Sequence, residues 1–136
     1  MNETKSAVGD RKALVAVVDD DESVREATEA LLRCAGYRAE GFDSAEEFLL
    51  SGRLPPTDCL ILDVKMPGMG GMALREMLDR HQPPVPTVFL TAHGDETTRR
   101  QAMQLGAAGF LRKPYSAADL LNVVRGSLEA NHLASA

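Results

Sequence analysis

Cysteine is scarce in this chain of 136 residues, which has only Cys34 and Cys59. Two cysteines are too few and too far apart in sequence for a disulfide framework or a zinc site, since the first needs several cysteines and the second needs ligands at characteristic close spacings. Both lie in apolar stretches, and we expect them to be reduced thiols in the core. The length suits one domain with a single sizeable core.

Long apolar runs and basic clusters are also missing. No run approaches the ~20 residues of a membrane span, and the first twelve residues contain no apolar signal core. The net charge is −5 and the lysines and arginines are scattered, which argues against a nucleic-acid-binding face. We therefore expect a cytoplasmic protein that binds neither a membrane nor nucleic acid directly.

Short apolar runs alternate with amphipathic stretches along the chain. Runs at 14–18, 59–62 and 87–90 are apolar throughout, and weaker ones occur at 37–42 and 108–111. Strands that are apolar on both faces are typical of a parallel sheet covered by helices on both sides. The pattern predicts an α/β fold, a doubly wound five-stranded parallel sheet with five helices.

The predicted helices show themselves by spacing and by caps. A capping box at Ser44 predicts a short helix, and a further helix is expected over roughly 95–105. The other helices are indicated by apolar residues at helical spacing: Val24, Ala27, Leu31 and Cys34 in the first, Leu74, Met77 and Leu78 in the third, and Leu120, Val123, Val124 and Leu128 in the last.

One domain is expected to fill most of the chain. Residues 1–12 are polar and aperiodic, which predicts a flexible N-terminal arm. Residues 13–130 form the predicted domain, and residues 131–136 are predicted to be a C-terminal tail. No repeat, low-complexity segment or interdomain linker interrupts the pattern.

Polar side chains collect where the predicted strands end: Asp19, Asp20 and Asp21 after the first, Asp63 after the third, Thr91 at the fourth and Lys113 after the fifth. In an open parallel sheet these strand ends line one crevice. Clustered carboxylates repel one another unless a cation joins them, and oxygen ligands suit Mg²⁺. With a lysine and a hydroxyl nearby, the set fits phosphoryl transfer, in which an aspartate can itself be the nucleophile.

Each of these residues also has a purely structural explanation when it is taken alone. The acidic triplet could be a solvated turn, and Asp21 could cap the first helix. Asp63 could begin a turn, Thr91 could simply close a strand, and Lys113 could belong to a solvated loop. The order and spacing of the whole set favour a functional site.

The sequence closely resembles the receiver domains of two-component response regulators, from about residue 13 to 130. Five separated segments carry the resemblance: 17–21 (VVDDD), 62–68 (LDVKMPG), 90–92 (LTA), 106–110 (GAAGF) and 113–115 (KPY). Segments 44–49 (SAEEFL) and 91–95 (TAHGD) resemble receivers of the FixJ type. The resemblance implies a flavodoxin-like receiver fold.

The resemblance also implies a role for each site residue. Asp63 is implied to be the phosphoacceptor, and Asp20 to bind Mg²⁺, or Mn²⁺ as the alternative ion, together with Asp63. Asp19 would help to bind the ion directly or through a water molecule. The backbone carbonyl of Lys65 would be a further metal ligand. Lys113 would pair with Asp63 and then with its phosphoryl oxygens.

A switch is implied beside the acceptor. Thr91 would hydrogen-bond the phosphoryl group and be drawn inward, and Phe110 would turn inward in step. The Lys113–Pro114 peptide bond is implied to be cis. Tyr115 stands where phenylalanine is commoner in the family. Lys65 and His93 occupy two variable positions that flank the site, and we hypothesise that they tune the lifetime of the phosphoryl group; the alternative is that both are solvated loop residues.

The implied partners are a sensor histidine kinase or phosphotransfer protein and a downstream protein target, with a homodimer formed on phosphorylation as a further expectation. The implied activity is limited to the domain's own phosphorylation and dephosphorylation. The main alternative is the N-terminal receiver of a DNA-binding transcription factor whose output domain is absent from this chain. A small aspartyl-phosphate hydrolase is the enzyme alternative, but no stretch is long enough for a cap insertion.

Overall fold

A computed structural model of the chain describes residues 7–8, 11–52, 57–65, 68, 70–81, 85–92 and 96–135. Within these ranges, residues 7, 8, 11, 78–81 and 131–135 are described by their backbone. All statements below concern the described residues.

In the part of the chain that the structure describes, the five strands of the main sheet alternate with five helices. In chain order they are β1 (Leu14–Val18), α1 (Glu22–Cys34), β2 (Arg38–Phe42), α2 (Ala45–Ser51), β3 (Cys59–Asp63), α3 (Gly71–His81), β4 (Thr87–Thr91), α4 (Glu96–Gln104), β5 (Gly109–Arg112) and α5 (Ala117–Ser135). The strands are all parallel, in the order β2-β1-β3-β4-β5. The predicted doubly wound α/β fold is confirmed.

The sheet is covered on both faces, which explains why its central strands are mostly apolar. Alternate residues of β1 enter different clusters: Val15 and Val17 pack with Leu120 and Val124 of α5, whereas Val18 packs with Phe48 of α2. Every residue of β1, β3 and β4 is buried. The predicted apolar stripe of α5 is therefore a core face.

Side-chain caps fix where two of the helices begin. The Asp21 carboxylate accepts hydrogen bonds from the backbone N–H groups of Ser23 and Val24 at the start of α1. The Ser44 hydroxyl accepts from the Glu47 N–H at 3.0 Å, and the Glu47 carboxylate accepts from the N–H of Asp43. Because Asp21 caps α1, the turn that carries Asp19 and Asp20 is held at the end of β1.

The buried face of α1 differs from the prediction. Thr28 and Leu32 are the buried residues, while Ala27 and Cys34 are exposed. Thr28 is tolerated in the core because its hydroxyl donates to the Val24 carbonyl at 2.8 Å. The expectation that both cysteines are core thiols is thus wrong for Cys34 and correct for Cys59, which is fully buried.

Both ends of the chain contain more regular structure than predicted. In the segment assigned to an N-terminal arm, Ala7–Val8 pairs with Arg11–Lys12 in a short antiparallel ladder. At the other end, α5 continues to Ser135 through the residues assigned to a tail. Among the helices described, none is long and apolar enough to span a membrane.

Candidate functional site

Three carboxylates meet at the carboxyl edge of the sheet. Asp19 follows β1 and is fully buried, Asp20 is exposed, and Asp63 ends β3 and is 6% exposed. One ligand oxygen from each lies within 4.8 Å of the others. Residues more than 40 positions apart in sequence converge because β1 and β3 are neighbouring parallel strands.

Lys113 supplies a positive charge to this cluster. Its Nζ lies 2.9 Å from Oδ2 of Asp19 and 3.0 Å from Oδ2 of Asp63. The lysine follows β5, and its backbone N–H donates to the carbonyl of Thr91 at 2.7 Å. That hydrogen bond fixes the strand end from which the side chain reaches across β4 to β3.

Backbone groups orient the carboxylates from the other side. The N–H of Asp21 donates to Oδ1 of Asp19 at 2.9 Å, and the N–H of Lys65 donates to Oδ1 of Asp63 at 3.1 Å. Both oxygens of Asp19 are therefore already engaged within the protein. The second of these bonds places the Lys65 peptide beside the Asp63 carboxylate, while the Lys65 side chain is exposed.

The electrostatics of the cluster are those of a site with too much negative charge. Burial is the largest cause that raises the pKa of Asp63 to about 6; repulsion from Asp19 adds to it, and the Lys113 hydrogen bond opposes it. Burial alone would lower the pKa of Lys113, but the two carboxylates outweigh it and hold that pKa above the ordinary value. With all groups ionised, three negative charges face one positive charge.

A divalent cation fits this arrangement. The donor set consists of carboxylate oxygens, which hard cations such as Mg²⁺ prefer, and the exposed Asp20 gives solvent access. A cation would compensate the excess of negative charge that Lys113 leaves. The site could therefore bind a metal.

The residues expected to form a switch lie on β4 and β5, the two strands that follow β3 in the sheet. Thr91 ends β4 and is buried, and Phe110 of β5 is partly buried against the cluster that contains Phe89. The Lys113–Pro114 peptide bond is cis. His93 lies outside the described residues, as do Met66 and Pro67 of the 62–68 segment.

Two supporting residues were missed by the sequence analysis. The Arg25 side chain of α1 donates to the Asp19 carbonyl at 2.9 Å, and its helical spacing carried no signal of this contact. Gly71 begins α3 so close to Asp63 that an added Cβ would lie 2.5 Å from the Asp63 carbonyl oxygen. No pattern in the sequence indicated that Gly71 packs against the acidic residue.

Comparison with known proteins identifies the family. The family model for the response regulator receiver domain matches residues 15–125. Nodulation protein W of Bradyrhizobium diazoefficiens is 40% identical over 118 residues, covering 87% of this chain and 52% of that protein. The transcriptional regulatory protein FixJ of Azorhizobium caulinodans is 39% identical over 114 residues, covering 84% and 54%. The chain thus spans about half the length of these relatives.

Solved structures agree with the sequence relationship. The response regulator StyR is 44% identical with a TM-score of 0.81, over 90% of this chain and 62% of that one. FixJ-N is 30% identical with a TM-score of 0.79, over 88% of this chain and 95% of that one. The fold, the acidic strand ends and these matches lead to one assignment: the chain belongs to the family of response regulator receiver domains.

Proposed function

We propose that Asp63 accepts a phosphoryl group from a sensor histidine kinase or phosphotransfer protein in a Mg²⁺-dependent reaction. The observation that supports this most is the cluster itself, in which Asp63 and two further carboxylates face a single lysine. The domain then signals through a change in the shape of its surface. It catalyses its own phosphorylation and dephosphorylation only, and acts in the cytoplasm.

Asp63 is the best placed of the three carboxylates to be the acceptor. Asp19 is fully buried, whereas Asp63 keeps 6% of its surface exposed, and Asp20 is exposed and lacks contact with Lys113 among the interactions described. A carboxylate oxygen of Asp63 attacks phosphorus, the new P–O bond forms an acyl phosphate, and the donor's bond to phosphorus breaks. Lys113, 3.0 Å away, can pair with the phosphoryl oxygens as charge develops.

Asp20 and Asp63 are the proposed side-chain ligands of Mg²⁺, with Mn²⁺ as the alternative ion. Asp19 would contribute directly or through a water molecule, since its oxygens already accept from Asp21 and pair with Lys113. The Lys65 carbonyl is the proposed backbone ligand, and the Lys65 N–H bond to Asp63 holds that peptide nearby. When bound, the ion supplies neutralisation of the carboxylate and phosphoryl charges.

Incubation with acetyl phosphate and Mg²⁺ tests this proposal. We expect intact mass spectrometry to show one added phosphoryl group on the wild-type protein and none in EDTA. Asp63→Asn is expected to abolish the label, whereas Asp58→Asn, an acidic residue at the opposite end of β3, is the matched control and should label normally. Persistent labelling of Asp63→Asn would move the acceptor to another residue.

The signal is proposed to leave the site through Thr91, Lys113 and Phe110. Phosphorylation replaces the single negative charge of the Asp63 carboxylate with the ~1.5–2 negative charges of a phosphoryl group, to which the Thr91 hydroxyl and Lys113 can respond. A cleft of about 540 Å³ lies between the start of α4, β5 and the start of α5, and Phe110 and Lys113 both line it. Because Lys113 both contacts the acceptor and lines this cleft, the α4–β5–α5 face is the proposed output surface.

The lifetime of the phosphoryl group is proposed to depend on Lys65 and His93, which would shield or order the attacking water. The Lys65 side chain is exposed directly after the acceptor strand. Lys65→Ala and His93→Ala should each change the autodephosphorylation rate, measured as loss of the added mass after removal of acetyl phosphate. Unchanged decay in both variants would refute this role.

A second proposal concerns the protein from which this domain comes. The matched segment makes up only about half of each of these curated relatives, and several are transcriptional regulatory proteins by name. We therefore keep the alternative that this is the N-terminal receiver of a DNA-binding regulator, with a separate downstream target as the other possibility. Size-exclusion chromatography with and without acetyl phosphate tests for a homodimer, which would favour a regulator that pairs on phosphorylation.

A further inference from the structure

A buried hydrogen bond connects α1 to the segment that carries Lys113. The Tyr115 hydroxyl lies 2.6 Å from Oγ1 of Thr28, across 87 positions of sequence. Thr28 is 1% exposed, and the Tyr115 ring packs against the core cluster between the sheet, α1 and α5. Thr28 and Tyr115 are not among the carboxylates, the lysine or the switch residues of the candidate site.

The direction of this hydrogen bond follows from its neighbours. The Thr28 hydroxyl has one hydrogen, and it donates that hydrogen to the Val24 carbonyl, which can only accept. Thr28 Oγ1 is then the acceptor, and the Tyr115 hydroxyl is the donor. Phenylalanine at 115 would keep the ring but could not make the bond, so the hydroxyl has a defined structural effect.

The bond closes a loop of contacts around the acidic site. Tyr115 is two residues after Lys113, and Lys113 reaches Asp19 and Asp63. Thr28 lies on α1, whose N-cap Asp21 donates its backbone N–H to Asp19. The Lys113 segment is thus attached to the β1–α1 region twice, once through its ammonium group and once through the Tyr115 hydroxyl.

We propose that Tyr115 is a positioning residue that, through its hydrogen bond to Thr28, holds Lys113 in line with the acceptor carboxylate. This inference rests on the proposed phosphoacceptor function. Without the anchor, Tyr115 is held by its ring packing and by the start of α5, and the ammonium group spends less time where the phosphoryl oxygens develop charge. The proposed metal ligands lie at the ends of β1 and β3, and Asp19 and Asp63 keep their hydrogen bonds from the backbone N–H groups of Asp21 and Lys65.

The test is the rate of phosphorylation by acetyl phosphate in Tyr115→Phe, Thr28→Val, the double variant and Thr28→Ser. We expect Tyr115→Phe to lower the maximal rate about three- to tenfold, the factor that one buried hydrogen bond contributes. The Mg²⁺ concentration that gives half the maximal rate should not rise, because the ligand carboxylates keep their backbone hydrogen bonds. Thr28→Ser keeps the acceptor oxygen and should retain the wild-type rate.

Coupling between the two positions separates this role from a general loss of packing. If the two residues act through one bond, the double variant is no slower than the slower single variant. Thermal unfolding shows whether the variants are folded at the assay temperature, and Thr28→Ser provides a second measure of the acceptor oxygen should Thr28→Val prove unstable. A wild-type rate in Tyr115→Phe, a raised Mg²⁺ requirement, or fully additive losses would overturn the inference.

The wild-type protein in the same series distinguishes failure of the proposed phosphoacceptor function from failure of the positioning role. A wild-type chain that takes up no phosphoryl group overturns the proposed function and this inference with it. A wild-type chain that is labelled on Asp63 at the same rate as Tyr115→Phe overturns the positioning role alone.

Discussion

Removing the charge of Asp63 is expected to stabilise the metal-free protein. In the absence of a cation, its buried carboxylate lies beside Asp19, and its pKa is raised from 3.8 to about 6, chiefly by burial. Such a rise corresponds to ~3 kcal/mol at ~1.36 kcal/mol per pKa unit. Asp63→Asn keeps the shape and can still accept from the Lys65 N–H, but it loses the ionic contact with Lys113. We therefore expect a net gain of about 1–2 kcal/mol in the free energy of unfolding at neutral pH.

The pH dependence of this gain has a definite sign. The folded protein holds the Asp63 proton more tightly than the unfolded chain does. The contribution of Asp63 to wild-type stability should consequently fall as the pH rises from 3.8 towards about 6 and remain lower above that range. Asp63→Asn lacks this fall, so its advantage should be full at neutral pH and disappear below pH ~4.

Urea unfolding in EDTA at several pH values measures the effect, with Asp58→Asn as the control for loss of a carboxylate elsewhere. Addition of Mg²⁺ should stabilise the wild type and leave Asp63→Asn nearly unchanged, because only a cation bound by the folded state shifts the equilibrium. An Asp63→Asn protein that is less stable than wild type in EDTA at neutral pH, with the same pH dependence, would refute the reasoning.

Three further substitutions test the supporting contacts, each by urea unfolding in EDTA. Gly71→Ala would place a Cβ 2.5 Å from the Asp63 carbonyl oxygen and should lower the free energy of unfolding by ~1–3 kcal/mol. Ala73→Gly, a small exposed change in the same helix, is the comparison. A Gly71→Ala protein as stable as wild type would contradict the packing argument. Arg75→Met removes the buried donor to the Val85 carbonyl and the Thr87 hydroxyl, both at 2.6 Å. It should lower the free energy of unfolding by ~1–3 kcal/mol. An unchanged stability would mean that these hydrogen bonds contribute little. Asp21→Ala removes the α1 cap and should cost ~1 kcal/mol, whereas Asp21→Asn should be nearly neutral; equal losses in both would point to charge rather than capping.

The strand ends could be predicted from sequence because they depend on short-range patterns. An apolar run that stops at Asp19 or Asp63 marks a strand end, and the parallel topology that strand–helix alternation implies brings those ends to one edge. The convergence of the acidic residues therefore followed from pattern and topology together. The capping box at Ser44 was equally readable, because all of its partners lie within four residues.

The features that were missed depend on contacts between distant segments. Helical spacing assigned Ala27 and Cys34 to the buried face of α1, whereas Thr28 is buried because Tyr115 and the Val24 carbonyl satisfy its hydroxyl. No local pattern shows that a polar residue will find a partner 87 positions away. The contact of Arg25 with the Asp19 carbonyl is likewise set by how α1 packs on the sheet.

Chemical mapping of the phosphorylated residue tests the central claim most directly. After treatment with acetyl phosphate and Mg²⁺, borohydride reduction converts an aspartyl phosphate to homoserine, which peptide mass spectrometry can locate. Conversion at Asp63 alone, absent when EDTA is present, is the predicted result. Homoserine at Asp19 or Asp20, or labelling of Asp63 that persists without a divalent cation, would contradict the account.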